Sequence, residues 1–531
     1  MRPKVLVCDN IAEEGIRLLE EKAEVEVRTG LKEDELCRAI KGFEAVVVRS
    51  ATKITRRVIE SADRLRVIAR AGVGVDNIDL DSATKRGIIV VNSPMGNTIA
   101  ACEHTLALML ALARNIPQAV QSLKGGRWER KKFMGVELFG KTLGVIGLGK
   151  IGSEVAKRAK AFGMRVLVYD PYVPAERVKA LGAEPVPFDE LLSQSDFITI
   201  HVPLTDETRG MIGREALKKV KPGVRIINCS RGGVVDEEAL YKALCDGRVA
   251  GAALDVFEME PPDEKGRRLI EHPKVIATPH LGASTEEAQV NVAVDVAEQI
   301  LDVFEGRPPR SAVNMPSISP QLFEVLRPFL VLCEKMGVLQ AHLAEGAIVE
   351  ASLEYAGRVA EHDTEPLTRA FLRGLLAPAM GGTVNYVNAP VLARERGIKV
   401  SESKLHDSPD YASLITTRIV TDKGKSTEVA GTVFGKEDVR IVSIDGYRID
   451  VVPEGYMLFA PHRDRPGIIG RVGTILGKRN INIAGMQLGR KEVGGRAIMA
   501  LNVDDRVPED ALEEIRETPD IFEVKQVCFS V

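Results

Sequence analysis

Gly147-Leu148-Gly149-Lys150-Ile151-Gly152 directly follows the apolar run TLGVIG and opens IGSEVAKRAKAFG, which has helical periodicity. Between a strand and a helix, the first glycine of such a set permits a tight turn. The second lets backbone approach a pyrophosphate, and the third lets helix and strand pack closely. The helix N-terminus favours negative charge. The next apolar run, MRVLVYD, ends in Asp170, near the roughly twenty-residue spacing at which a carboxylate accepts hydrogen bonds from ribose hydroxyls. A carboxylate there repels a 2′-phosphate, and no Arg or Lys follows in Asp170-Pro171-Tyr172. The spacing therefore predicts NAD(H), with NADP(H) as the lesser alternative.

An enzyme that uses such a cofactor to oxidise an alcohol needs a base for the hydroxyl proton and a cation for the substrate. Three segments downstream offer these groups. Asn228-Cys229-Ser230-Arg231-Gly232-Gly233 follows an apolar run, and Arg231 suits a bidentate contact to a carboxylate. Asp255-Val256-Phe257-Glu258-Met259-Glu260-Pro261-Pro262 ends another run with clustered acids. Thr278-Pro279-His280-Leu281-Gly282-Ala283 places a histidine after a third run, IAT. Histidine suits proton transfer near neutral pH, and a carboxylate beside it fixes its tautomer and favours the imidazolium. Alone, His280 reads as structural and Glu260 as solvated; together, after a dinucleotide fingerprint, they read as a catalytic pair.

The elements that must position these groups are legible as two α/β blocks. KVLVCD, EVEVRT, EAVVVRS, LRVIARAG and IIVVNSP are short β-branched runs separated by helical segments. The second block contains TLGVIGLG, MRVLVYD, DFITIHVPL, VRIINCS and AGAALDVF. Such runs between helices indicate buried parallel strands, so two doubly wound, Rossmann-like domains are expected. One helical stretch, about Ala100 to Leu123, separates the blocks, and a periodic helix ending at Gly306 follows them. RPPRSAVNMPSISP is a linker by composition. Beyond it, residues 318–345 read as an amphipathic helix, followed by alternating β segments such as AIVEASLEYAG and TEVAGTVFG. The last 76 residues, 456–531, show the order βαββαβ of a ferredoxin-like unit, ending in the strand FEVKQVCFS.

A chain of 531 residues is too long for one core. Its 72 Lys and Arg against 75 Asp and Glu argue against a broad nucleic-acid surface. Seven scattered cysteines without CxxC or metal-like Cys/His spacing predict reduced thiols and no metal site. The apolar run at the start reaches Asp9 too soon for a signal peptide, and Thr105–Ala113 is too short to span a bilayer. A soluble, cytoplasmic protein with no membrane partner is expected.

In this order after GLGKIG, the segments SRGGVVDE, ALDVFEMEPP and TPHLGAST resemble the D-isomer-specific 2-hydroxyacid dehydrogenase family over residues 1–314. The resemblance implies Arg231 as substrate anchor, Glu260 as orienting carboxylate and His280 as acid/base, with Glu258 the near competitor of Glu260. It also implies cofactor contacts at Val202, Cys229, Ser230, Asp255, Gly282 and Ala283, beside the fingerprint and Asp170.

Within that family, VRSATK (48–53), ARAGVGVDN (69–77) and WERKKFMG (128–135) resemble the branch that acts on 3-phospho-D-glycerate. Arg49 follows a strand with Ser50 and Thr52 as hydroxyl donors and Lys53 nearby, and Arg70 ends the next strand. Cations at two adjacent strand ends can hold a phosphate through charge-assisted bonds. Val73, Gly74 and Asn97 complete the expected substrate contacts, and Arg130-Lys131-Lys132 would assist from a partner subunit. Residues 456–531, with Arg463-Asp464-Arg465-Pro466-Gly467 and Asn480-Ile481-Asn482-Ile483, resemble ACT domains, and the segment before them resembles the intervening domain of long-form members.

The resemblance thus implies a substrate-binding domain (1–98 and 287–314), an NAD-binding Rossmann domain (99–286), an intervening α+β domain (318–450) and an ACT regulatory domain (456–531). The implied reaction is oxidation of 3-phospho-D-glycerate to 3-phosphohydroxypyruvate, the entry to L-serine biosynthesis, in a dimer or tetramer. ACT units commonly pair and bind amino acids at the seam. His462 and Asp464, in the loop after the first strand, and Asn482 are therefore expected to hold L-serine, with Asp464 standing where some relatives have an amide. Two alternatives stay open: reduction of hydroxypyruvate, glyoxylate or 2-oxoglutarate, and an NAD(H)-sensing regulator without catalysis. The complete Arg, Glu, His set speaks against the second, because a sensor needs no proton acceptor.

Overall fold

A computed structural model describes residues 2–408 and 410–529. Its first sheet is built from β1 (Lys4–Val7), β2 (Glu24–Val27), β3 (Ala45–Val48), β4 (Val67–Arg70) and β5 (Ile89–Asn92), all parallel, in the order β2-β1-β3-β4-β5. The central strands are short apolar runs, with one cation at an end of β1 (Lys4) and of β4 (Arg70); all four residues of β3 are buried. The helix Glu286–Phe304 returns to this sheet, and Val292, Val296 and Ile300 bury against Val5, Val47 and Val67.

The second sheet holds β6 (Thr142–Ile146), β7 (Arg165–Tyr169), β8 (Glu184–Pro185), β9 (Phe197–Ile200), β10 (Val224–Asn228), β11 (Val249–Leu254) and β12 (Val275–Ala277). Their order, β12-β11-β10-β9-β6-β7-β8, is parallel throughout and reverses between β6 and β9. Ligands of doubly wound sheets sit outside the carboxyl ends of the strands at such a reversal. The expected doubly wound fold class is therefore observed.

The helical stretch expected over 100–123 is two helices, Thr98–Arg114 and Ile116–Lys124, bent by 63°. Asn115 adopts the left-handed conformation (φ 52°), which an Asn side chain tolerates, and Pro117 then sits in the first turn of the second helix. Among the described residues no single helix is long and apolar enough to cross a membrane.

The third sheet, β13 (Ile348–Gly357), β14 (Lys399–Leu405), β15 (Ser413–Thr421), β16 (Ser426–Phe434), β17 (Asp438–Ile444) and β18 (Tyr447–Val451), has the order β14-β13-β15-β16-β17-β18. Two helices cover it, Pro320–Leu343 and Glu365–Met380. The second departs from the sequence pattern, which predicts β segments after residue 345. Its apolar face, with Leu367, Phe371 and Leu375 at helical spacing, is buried in the shared core.

The fourth sheet is antiparallel: β19 (Tyr456–Arg463), β20 (Ile483–Arg490), β21 (Arg496–Val503) and β22 (Lys525–Cys528), ordered β20-β21-β19-β22. With helices Ile468–Lys478 and Glu509–Arg516 it forms the expected βαββαβ unit. The end of the expected last strand, Ser530, lies outside the described residues.

Candidate active site

The fingerprint glycines each face a different constraint. Gly147 has φ 89°, and a Cβ there would fall 2.6 Å from the His201 carbonyl oxygen and 2.7 Å from Val202 Cγ1. A Cβ on Gly152 would fall 2.1 Å from the Gly147 carbonyl oxygen, so only glycine lets the helix Lys150–Ala161 sit on this turn. Gly149, the N-cap of that helix, has no heavy atom within 4 Å of an added Cβ. That open cradle beside free helix N–H groups fits a pyrophosphate. Lys150 and Ile151 begin the helix. Asp170 follows β7 directly, and its carboxylate accepts from Leu148 N at 2.7 Å and Tyr172 N at 2.9 Å, which fixes it beside the turn.

Arg231, Glu260 and His280 stand after β10, β11 and β12, three adjacent strands, at their carboxyl ends. His280 Nδ1 lies 2.7 Å from Glu260 Oε2, and the other Glu260 oxygen accepts from Phe257 N at 3.2 Å. Burial pulls the Glu260 carboxyl upward, but the hydrogen bond and charge of His280 outweigh it and hold the group below its ordinary range. Glu258 is engaged elsewhere: Lys265 Nζ donates to it at 2.8 Å.

The His280 loop is held by Asp255. This carboxylate is 1% exposed and accepts from Leu281 N at 2.7 Å, Gly282 N at 2.8 Å and Thr278 Oγ1 at 2.6 Å. A cofactor contact at Asp255 or Gly282 would add to a network the chain already completes. Ala283 offers its carbonyl to Gln289 Nε2 at 2.8 Å. Ser230 N and Oγ both donate to Asn228 Oδ1, and burial pushes the neighbouring Cys229 thiol up to about 12, so it stays protonated.

On the opposite side, Arg49 follows β3 and Arg70 ends β4, neighbours in the first sheet. Desolvation, then the nearby charges of Arg231 and Arg49, lower the Arg70 guanidinium to about 10. Arg70 Nη1 donates to the Ala71 carbonyl, while its buried Nε has no partner among the described residues. Asn97 Oδ1 is likewise buried and unpartnered. Three crowded guanidinium groups and unmet polar atoms are what an anionic ligand would satisfy. A Cβ on Gly74 would fall 1.9 Å from Arg231 Nη2, so this backbone sits directly against the guanidinium; Asn92 Nδ2 holds the neighbouring Val73 carbonyl at 2.6 Å. Ser50 is exposed. Thr52 differs from expectation: its buried hydroxyl donates to Asp9 Oδ1 at 2.7 Å and cannot face a phosphate.

Two contacts were missed from the sequence. Asp76 pairs with Arg231 Nε at 3.0 Å, and His104 Nε2 lies 3.1 Å from Asp255 Oδ1. The signal for His104 was a lone imidazole in the apolar run IAACEHTLALML.

At the far end of the chain, β19 runs through Arg463, so His462 lies in the strand and not in the loop. Its pairing with Ala497 keeps the strand's alternation, and the ring is buried with Nδ1 on the Ala460 carbonyl. Asp464 accepts from Arg490 Nη1 at 3.1 Å and Gly494 N at 3.2 Å, and Asn482 Nδ2 donates to Asp504 at 2.8 Å.

The chain matches three family descriptions: the NAD binding domain of D-isomer specific 2-hydroxyacid dehydrogenases over residues 106–282, the D-3-phosphoglycerate dehydrogenase intervening domain over 325–445, and the ACT domain over 456–520. It is 51% identical to a D-3-phosphoglycerate dehydrogenase of Synechocystis, over 98% of this chain and 93% of that one. It is 50% identical to one of Archaeoglobus fulgidus over 99% of both. Among solved structures, D-lactate dehydrogenase from Aquifex aeolicus complexed with NAD and lactic acid is similar at 32% identity and TM-score 0.55, covering 59% of this chain and all of that one.

Proposed function

The chain belongs to the D-3-phosphoglycerate dehydrogenase family, and from that premise we propose that Arg231, Glu260 and His280 are its catalytic residues. Its reaction is the NAD-dependent oxidation of 3-phospho-D-glycerate to 3-phosphohydroxypyruvate, the first step of L-serine biosynthesis. The chemistry that bound NAD would supply is that of a hydride acceptor for the C2 hydrogen. The fingerprint turn and the N-terminus of helix Lys150–Ala161 would hold its pyrophosphate, and Asp170 its ribose.

His280 Nδ1 is held by Glu260, so its tautomer leaves Nε2 as the acceptor for the C2 hydroxyl proton. Glu260, ionised and adjacent, stabilises the imidazolium that results. The observation that carries this reading is the 2.7 Å pair His280–Glu260, set at adjacent strand ends in one sheet with Arg231. Arg231 with the Val73–Gly74 backbone would take the substrate carboxylate, and Arg49 and Arg70 its phosphate, with Ser50 and Asn97 beside them. Comparing kcat/KM for 3-phospho-D-glycerate and D-glycerate tests the phosphate site. A large preference for the phosphorylated acid is expected, and equal values would reject it.

The chain acts as a homo-oligomer in the cytoplasm, with L-serine as effector where two ACT units meet. Exposed Ile116, Val120, Leu123 and Trp128 support an association face next to the bent helix pair. Buried thiols at Cys8, Cys37, Cys102 and Cys333 support a reducing compartment.

A further inference from the structure

We propose that His104 is a positioning residue for His280, acting through Asp255. The inference rests on His280 being the proton acceptor, and on six contacts. His104, on the helix Thr98–Arg114, is 19% exposed, with Nε2 3.1 Å from Asp255 Oδ1 and 3.2 Å from Thr278 Oγ1. Asp255 Oδ1 also accepts from the Thr278 hydroxyl and from Leu281 N, and Oδ2 accepts from Gly282 N. The Asp255 carbonyl oxygen accepts from His280 N at 2.9 Å.

These contacts fix the proton on His104. Burial raises the Asp255 carboxyl, but the hydrogen bonds from His104, Thr278 and Leu281 outweigh it and keep it ionised. The Thr278 hydroxyl already spends its hydrogen on Asp255. Neither neighbour can donate to Nε2, so Nε2 carries the hydrogen and donates. His104 is thus the side chain from another element that helps compensate a carboxylate with almost no access to water.

The compensated carboxylate has a specific load. His280 has φ 56°, a left-handed conformation that a non-glycine residue holds only where its surroundings over-determine it. Residue 280 and the two after it are pinned to Asp255 through their N–H groups. Glu260 orients the His280 ring, whereas His104 and Asp255 set the backbone from which that ring projects. Proton transfer is sensitive to such placement, because about 1 Å of error can cost roughly a hundredfold. The groups proposed to bind substrate, Arg231, Arg49 and Arg70, lie on other strand ends.

The test compares His104→Phe, which keeps a ring and removes the donor, with His104→Gln, whose amide restores one. His104→Phe should lower kcat roughly tenfold, the value of one lost hydrogen bond to a buried charge, while KM for 3-phospho-D-glycerate stays within about twofold. His104→Gln should recover most of kcat. Amide hydrogen exchange over residues 278–284 should speed up in His104→Phe and return to the parent rate in His104→Gln. If His104→Phe does not fold, His104→Leu serves as the donor-free variant. A donor-free variant with parent kcat and parent exchange overturns the proposal, as does a loss that His104→Gln fails to restore. If the parent chain oxidises no hydroxy acid, the functional reading fails, and the exchange comparison alone decides whether His104 positions this loop.

Discussion

Arg231 Nε donates to Asp76 Oδ2 at 3.0 Å, joining the loop after β10 in the second sheet to the loop after β4 in the first. The pair spans the two units whose strand ends carry the candidate active site. Asp76 is 69% exposed, so the ion pair adds little to stability, at most about 1 kcal/mol. Its consequence is orientation: with Nε engaged, the Nη2 edge of the guanidinium lies against Gly74.

Asp76→Ala should therefore leave the thermal midpoint nearly unchanged and raise KM for 3-phospho-D-glycerate several-fold. Steady-state kinetics beside a melting curve checks this. An unchanged KM would mean that Arg231 needs no orienting carboxylate.

Glu260→Gln removes the counter-charge of His280 and should lower kcat by roughly ten- to a hundredfold. The stability effect has a definite sign. The folded-state pKa of Glu260 is lowered, so its ionised form stabilises the fold above the unfolded carboxylate value, near pH 4.3, and that contribution fades as pH falls through the folded value. The difference in thermal midpoint between parent and variant should be present at neutral pH and shrink below about pH 4. Because the side chain is 40% exposed, the difference is small. A gap that widened in acid would reverse the assignment of charge.

Asp170→Ala should weaken NAD binding and narrow the gap between NAD and NADP as substrates, since the carboxylate beside the fingerprint turn repels a 2′-phosphate. Ratios of kcat/KM for the two cofactors read this directly. An unchanged ratio would place the discrimination elsewhere.

L-serine should bind the intact chain with measurable heat in calorimetry, and Asn482→Ala should weaken it. Binding can reach the distant active site only by preferring one arrangement of the domains. Absence of heat from the intact chain, or an unaltered variant, would leave the ACT unit without this ligand.

Much of the fold was legible because its signals are local. Continuous apolar runs such as AVVV and FITI, alternating with helical segments, are the pattern of a parallel sheet buried on both faces, and GLGKIG fixed the turn between one such strand and its helix. The helix Glu365–Met380 escaped notice because Pro366 and Pro378 interrupt its pattern, and a shared core with Pro320–Leu343, not local propensity, sustains it. His462 was misplaced because its loop-like neighbours, Arg463-Asp464-Arg465-Pro466-Gly467, hid a strand extended by pairing with β21. Asp76 and His104 were invisible as partners, since their contacts lie 155 and 151 residues away in sequence. Spacing reveals turns and strand ends; it does not reveal which side chains meet across a cleft.

The central claim is that His280 takes the hydroxyl proton of 3-phospho-D-glycerate while NAD is reduced. The direct measurement is NADH formation from 3-phospho-D-glycerate by the parent chain and by His280→Ala. The parent should reduce NAD, and the variant should lose on the order of 10²–10⁴-fold in kcat while still binding NAD. Near-parent turnover by His280→Ala would contradict the assignment.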